Sequence, residues 1–309
     1  MRFILAVLTL VSASSALASD GPWVTSEGAT SLYGGSEYER WRYFRTSGNR
    51  IDMETPVIAT RAFGVMARGI APGLEAELIL PLERVTAASP DSAKCVKEGR
   101  PEDWCAPTTG VGSAMFTLKA RLLDEYEYRP FSLSVSTTLR VGEFHSQTRG
   151  RLTNIGDGQS DIATSIAVGR KVGAGKGYVG AYGISTYWLR FGHDGRMFNQ
   201  DKIPADALGA SGEVFWAPHG RAQVGFAAYY YSKLWGDESI SDARLNEVNG
   251  FAALRSTQLK AGVKAIIPAG GQTSIVMSAM VPAYANNAPV DSVVIAIGLG
   301  HYIPKSLLN

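Results

Sequence analysis

The sequence predicts an all-β chain, a transmembrane antiparallel up-and-down β-barrel of about 12 strands preceded by a cleaved signal peptide. Three observations predict it. Apolar and polar residues alternate in run after run, no helical period separates the runs, and the connections between them are short and long in turn.

The alternation is plainest from Met115 to Val141. Phe116, Leu118, Ala120 and Leu122 alternate with Thr117, Lys119 and Arg121. Beyond a short charged connection from Asp124 to Pro130, Phe131, Leu133, Val135, Thr137, Leu139 and Val141 alternate with Ser132, Ser134, Ser136, Thr138 and Arg140. Side chains on a strand point to opposite faces with period two, so each run has one apolar and one polar face. The pair is a β-hairpin.

The N-terminus supplies the compartment. Arg2 is a positive n-region, Phe3 to Val11 an apolar core, and Ala16-Leu17-Ala18 a small-x-small site, which predicts cleavage after Ala18. The apolar run falls short of the roughly 20 residues a helical span needs, and no later stretch supplies one. The expected organisation is a signal peptide over 1–18 and a single barrel domain over 19–309. A formal net charge of +2 without a basic run gives no nucleic-acid signal. Thirty-four glycines and thirteen tyrosines with a mean hydropathy near zero suit a barrel in which half of every strand is polar.

Taken in order, the first strand falls between Glu27 and Arg45 and carries Tyr33, Tyr38, Trp41, Tyr43 and Phe44, with Arg40 and Arg42 on the alternate face. A polar connection from Thr46 to Thr55 precedes a strand over Val57 to Gly69, with Phe63, Val65 and Ala67 on one face. After the turn Ile70-Ala71-Pro72-Gly73, Leu74, Ala76, Leu78, Leu80 and Leu82 alternate with Glu75, Glu77 and Ile79. A long loop from Val85 to Thr109 holds both cysteines and leads to the hairpin already described. Another, Glu143 to Asp157, leads to Asp161–Arg170. Gly173 to Gly177 turns the chain into Tyr178–Phe191. Later strands end near Trp216 and run over Val224–Trp235, Phe251–Ile267, Ser274–Tyr284 and Ser292–Tyr302. Short turns and long loops interleave, as in bacterial outer-membrane barrels, which have short periplasmic turns and long outer loops.

Physics then selects the faces. In hydrocarbon every backbone group must be paired within the chain, which a closed barrel achieves. A charged lipid-facing residue near mid-membrane costs roughly 2–4 kcal/mol. The face bearing Glu75, Glu77, Lys119, Arg121, Arg140, Asp161, Lys260 and Lys264 is therefore expected to line the lumen. Trp41, Trp188, Trp216, Trp235 and the run Tyr229-Tyr230-Tyr231 are expected in the aromatic girdles at the two interfaces. The mixed lumen charges favour a crosslinked, narrow interior, since a barrel of about twelve strands lies between side-chain-filled and open sizes.

The order of these segments resembles the outer-membrane transporter-like barrels of the meta-pathway phenol-degradation family. The resemblance rests on the opening aromatic strand, the strand-turn-strand from Arg61 to Pro81 closing on Leu80-Pro81-Leu82, and a Gly-x-Gly-led strand from Gly110 through Leu123. It continues with Gly156-Asp157-Gly158-Gln159-Ser160-Asp161 and the aromatic strand from Tyr178 to Arg190. It covers nearly the whole mature chain through strand and turn signatures. It implies a non-enzymatic channel or transporter for small, hydrophobic molecules in the outer membrane of a Gram-negative-type cell. Lipid and lipopolysaccharide would surround it, and the barrel-assembly machinery would insert it. Similar barrels also anchor multiprotein trans-envelope machines, which is the alternative, with periplasmic or other envelope proteins as partners. Barrels of this kind usually finish on an aromatic residue; here Tyr302 is followed by a tail from Ile303 to Asn309.

Catalytic and metal chemistry have little footing. An outer-membrane hydrolase would need a Ser oriented by His, and His145-Ser146, with Gln147 and Asn154 nearby, is the one candidate grouping. The four histidines are scattered and predict no metal site and no cofactor. Gly173 to Gly177 lacks the spacing of a phosphate loop. Cys95 and Cys105 have no partner ligands for zinc, and in an exported chain they predict a disulfide pinning the loop that holds them.

Overall fold

The computed structural model describes residues 21–45, 50–88, 105–127, 129–142, 160–191, 205–218, 222–234 and 256–307. Strands β1 (Thr30–Arg45), β2 (Arg50–Ala71) and β3 (Leu74–Ala87) open the sheet. The short β4 (Thr108–Val111) precedes β5 (Ala114–Leu123), and β6 (Ser132–Val141), β7 (Ser160–Ala174), β8 (Gly177–Phe191) and β9 (Ala207–Ala217) follow. The chain continues through β10 (Gln223–Lys233), β11 (Thr257–Gly270), β12 (Thr273–Asn286), the short β13 (Ala288–Pro289) and β14 (Val293–Ile303).

Every pairing between these strands is antiparallel, and neighbours in the barrel follow chain order. Strand β1 pairs with β2 on one edge and β14 on the other, which closes the barrel and leaves no sheet edge. Strands β4 and β13 are interrupted continuations of β5 and β14. β3 pairs with β5 over Leu74–Ile79 and with β4 over Leu82–Val85, while β13 pairs with the tip of β1. The barrel therefore has twelve staves, as the alternation predicts, and among the described residues no helix is long and apolar enough to cross a membrane.

Burial alternates along the staves, and the exposed set is apolar. Leu80, Leu82, Ile166, Val214, Phe226, Ile297 and Leu299 are all more than half exposed, a continuous hydrocarbon-compatible exterior. The intervening residues are buried inside, where Glu75, Glu77 and Glu83 share a face with Ile79 and Val85 on β3.

The structure extends several elements. Strand β2 begins at Arg50, so the expected Thr46–Thr55 connection shrinks to residues 46–49. The stretch Arg50–Thr55 does alternate, Ile51 and Met53 against Arg50, Asp52 and Glu54, but its three charges give it the composition of a connection. Strand β7 likewise runs to Ala174 and turns through Gly175-Lys176, where Gly175 has a φ of 62°.

The aromatic expectation requires correction. Trp41 is interior and packs on Phe44, with centroids 6.4 Å apart, and Trp188 packs inside on Tyr231 at 5.9 Å. Tyr229 and Tyr231 are buried while Tyr230 is exposed, because a run of three on a strand cannot share a face. Trp216 is exposed on the exterior, as a girdle residue would be, and Trp235 lies outside the described residues.

Candidate functional site

The interior is divided. On the β1–β3, β11 and β14 side, at the long-loop end, buried charges crosslink the staves. Arg61 bridges Glu37 and Glu83, and the Glu83 contact is 3.1 Å. Lys260 reaches Glu39 at 2.9 Å, and the Ser292 hydroxyl donates to the same carboxylate oxygen at 2.6 Å. These side chains are almost wholly buried, so each charge is met by a partner where an unmet one would be costly. Below them Tyr33, Phe63, Val65, Ile79 and Val276 form an apolar cluster inside the barrel, with Met115 and Ile266 against it.

On the β5–β10 side the interior is open. A cavity of about 210 Å³ is lined by hydroxyls from Thr117, Ser134, Ser136 and Thr138 on β5 and β6 and from Ser165 and Thr186 on β7 and β8. Cross-strand pairs hold these hydroxyls in place, Thr117 with Thr138 and Ser165 with Thr186, each at 2.8 Å. The neighbouring arc contributes Trp188, Tyr229 and Tyr231. At its long-loop end Asp161 sits between two guanidiniums, 2.5 Å from Arg140 and 3.3 Å from Arg190.

A second cavity, about 360 Å³, lies toward the short-turn end against Tyr33, Phe215, Lys264, Ile266 and Val276. Lys264 meets Glu213 at 3.1 Å there, and the Tyr182 hydroxyl donates to the same carboxylate at 3.0 Å.

Between the two cavities runs the segment 21–29, which precedes β1 and crosses the short-turn mouth as a strap. Gly21 lines the first cavity, Trp23 the second, and Tyr182 both. Lys119 Nζ donates to the Trp23 carbonyl at 2.7 Å, and the Trp23 indole N–H donates to Glu125 at 3.1 Å. Lys171 lies 3.9 Å over the Trp23 ring, and Tyr182 and Phe215 meet that ring edge-on. The Thr25 amide donates to Glu75 at 2.6 Å, and Glu27 reaches Lys305 in the C-terminal tail at 3.2 Å. Gly69 allows the strap to approach β2: a Cβ there would stand 2.2 Å from the Ser26 carbonyl oxygen.

The expected lumen residues are thus distributed among five arrangements. Glu75 and Lys119 hold the strap, Arg140 and Asp161 pair with each other, and Glu77 lines the first cavity. Lys260 and Lys264 find partners that the sequence reading did not name, Glu39 and Glu213. Arg121 is only half-buried and pairs with Asp124 at 2.6 Å at the short-turn end, away from the cavities. Glu37, Glu39, Arg61, Glu83, Arg190 and Glu213 were missed, although strand parity carried the signal: Glu83 continues the face of Glu75 and Glu77, and Glu37 and Glu39 flank the exposed Tyr38.

The His145–Ser146 grouping, with Gln147 and Asn154, lies outside the described residues, as do His193 and His219. His301 is described, exposed and 2.9 Å from the Thr273 hydroxyl. Among the described residues no group of three His, Cys, Asp or Glu side chains is placed to hold a metal ion. Cys105 is buried at the start of the segment leading to β4, and Cys95 lies outside the described residues.

No protein-family model and no curated protein sequence matches the chain. Solved structures do. The chain is similar to the COG4313 outer membrane channel from Pseudomonas putida F1, with a TM-score of 0.71 at 12% identity over 93% of this chain and 99% of that one. The translocator domain of the autotransporter NalP from Neisseria meningitidis aligns more loosely, with a TM-score of 0.47 at 12% identity over 96% of this chain and 94% of that one. The first likeness establishes the fold as that of an outer-membrane barrel; the second is too loose to carry an argument.

Proposed function

We propose that the chain is an outer-membrane channel for small molecules, exported by a signal peptide over 1–18. In this reading its short turns and the strap face the periplasm. The observation that carries the reading is the cavity on the β5–β10 side. A structural plug would be filled like the ion-paired sector opposite, whereas this arc presents Ser and Thr hydroxyls beside aromatic rings. The charges on its wall are engaged, Arg140 and Arg190 with Asp161 and Lys119 with the strap, so the lining favours neutral solutes over ions. The likeness to the Pseudomonas putida channel supports the fold this reading needs, and the segment order supports kinship with the meta-pathway barrels.

In this account the strap and the apolar cluster close the conduit at rest, and passage requires the strap to move. Reconstituted in planar bilayers, the mature chain should give small conductance steps. Silence at every voltage, together with co-purification of periplasmic proteins, would favour the alternative of an anchoring barrel for a trans-envelope apparatus.

A further inference from the structure

The exterior carries a cationic patch at the long-loop ends of β1, β2 and β3. Tyr38, Thr60 and Arg84 form one cross-strand row, and all three side chains are exposed. Arg40, also exposed, stands one outward position beyond Tyr38. Thr109 of β4 lies opposite Arg84 on its other side, while Ile58 and Val293 flank Arg40. Neither guanidinium therefore has a carboxylate beside it in the strand register. Arg45 and Arg50 are direct cross-strand partners farther out, an arrangement in which like charges repel. The charge of Arg42 is already met, by Asp52 at 2.8 Å.

Depth decides what Arg40 and Arg84 meet. Tyr38 is an exterior aromatic of the kind that marks the membrane interface. The next outward residue on a strand stands about 7 Å farther along, which brings Arg40 level with the lipid headgroups. Guanidinium is the side chain best matched to phosphate, because its planar fork donates two parallel hydrogen bonds. The Thr109 hydroxyl borders Arg84 and adds a donor, while the Thr60 hydroxyl donates to the Arg84 carbonyl at 3.4 Å and ties the two strands there.

We propose that Arg40 and Arg84, with Thr109, form a binding site for the phosphate of an outer-leaflet glycolipid headgroup of the lipopolysaccharide type. The proposal rests on the outer-membrane orientation given above.

The test is native mass spectrometry of the refolded full-length barrel in detergent, titrated with diphosphoryl lipid A, its dephosphorylated counterpart and inorganic phosphate. The diphosphoryl lipid should be retained and the dephosphorylated lipid should bind far more weakly. The pair Arg40→Gln and Arg84→Gln should lose about tenfold or more in retention, on the scale of two surface cations against an anionic lipid. Arg68→Gln with Arg170→Gln, exposed on the exterior toward the short-turn end, should leave it unchanged. Equal retention of the dephosphorylated lipid, equal loss in both double variants, or displacement by inorganic phosphate would overturn the proposal. Should the glutamine pair fail to refold, Arg40→Lys with Arg84→Lys keeps both charges and loses the fork; weakened retention supports the site and unchanged retention overturns it. Retention is read whether or not the barrel conducts, so failure of the channel reading leaves this result standing.

Discussion

The Lys119 ammonium, on β5, donates to the main-chain carbonyl of Trp23 at 2.7 Å, joining the barrel wall to the strap that crosses its short-turn mouth. The indole of Trp23 adds its own anchors, a lysine over the ring, two aromatic rings in T-shaped contact and the hydrogen bond to Glu125. The Thr25–Glu75 and Glu27–Lys305 contacts hold the strap farther along. Trp23→Ala removes the indole contacts but keeps the main-chain bond to Lys119 and the Thr25–Glu75 contact. It should therefore loosen the strap at a cost of about 1–2 kcal/mol while the barrel stays folded. Single-channel recordings should show a larger conductance or a larger open fraction in Trp23→Ala than in the unmodified chain.

The alternation of faces predicts opposite outcomes for two neighbouring sites. Ile166 is exposed on the exterior near the middle of β7, and its register partner Val135 adjoins Ser136, which lines the cavity. Ile166→Arg should cost roughly 2–4 kcal/mol because the charge meets lipid. Ser136→Arg should be far milder, since its head can reach water in the cavity. Heat-modifiable gel migration of the two variants reports the difference.

Much of this organisation was legible in the sequence. From Met115 to Val141 period two assigns strand, face and turn together, and the buried positions of Lys119 and Arg140 follow from it. The same parity places Trp41 with Glu39 inside the barrel, but an aromatic ring is as suited to a lumen as to a girdle, so residue type alone misleads there. Arg61 shares its face with Phe63 and Val65, which shows that apolar residues on β2 do not mark the lipid side. The strap was not legible at all. Residues 21–29 have no periodicity, and Trp23 meets partners about a hundred positions away, contacts that only barrel closure creates.

Asp161 is the shared partner of Arg140 and Arg190, and all three are buried. Asp161→Asn leaves two guanidiniums facing each other without their carboxylate and should destabilise the barrel by about 3 kcal/mol. In variants that still fold, the added positive charge at the cavity mouth should shift selectivity toward anions, read as a change in reversal potential across a salt gradient.

The proposed bond between Cys95 and Cys105 closes a short loop and should stabilise by about 2–3 kcal/mol in the chain-entropy account. Replacing both with serine should leave the barrel assembled, because the staves are joined by their own ladders. Mass spectrometry of protein taken from the membrane should find no free thiol; two free thiols would dispose of the bond.

The central claim, that the conduit runs along the β5–β10 side, is tested most directly by placing a cysteine on that wall. Ser136→Cys in planar bilayers should conduct like the unmodified chain and then lose most of its current when a bulky thiol-reactive reagent is added. The unmodified chain should keep its current under the same treatment. A Ser136→Cys channel that conducts and is indifferent to a reagent shown by mass to have reacted would contradict the account, because the current would then pass elsewhere.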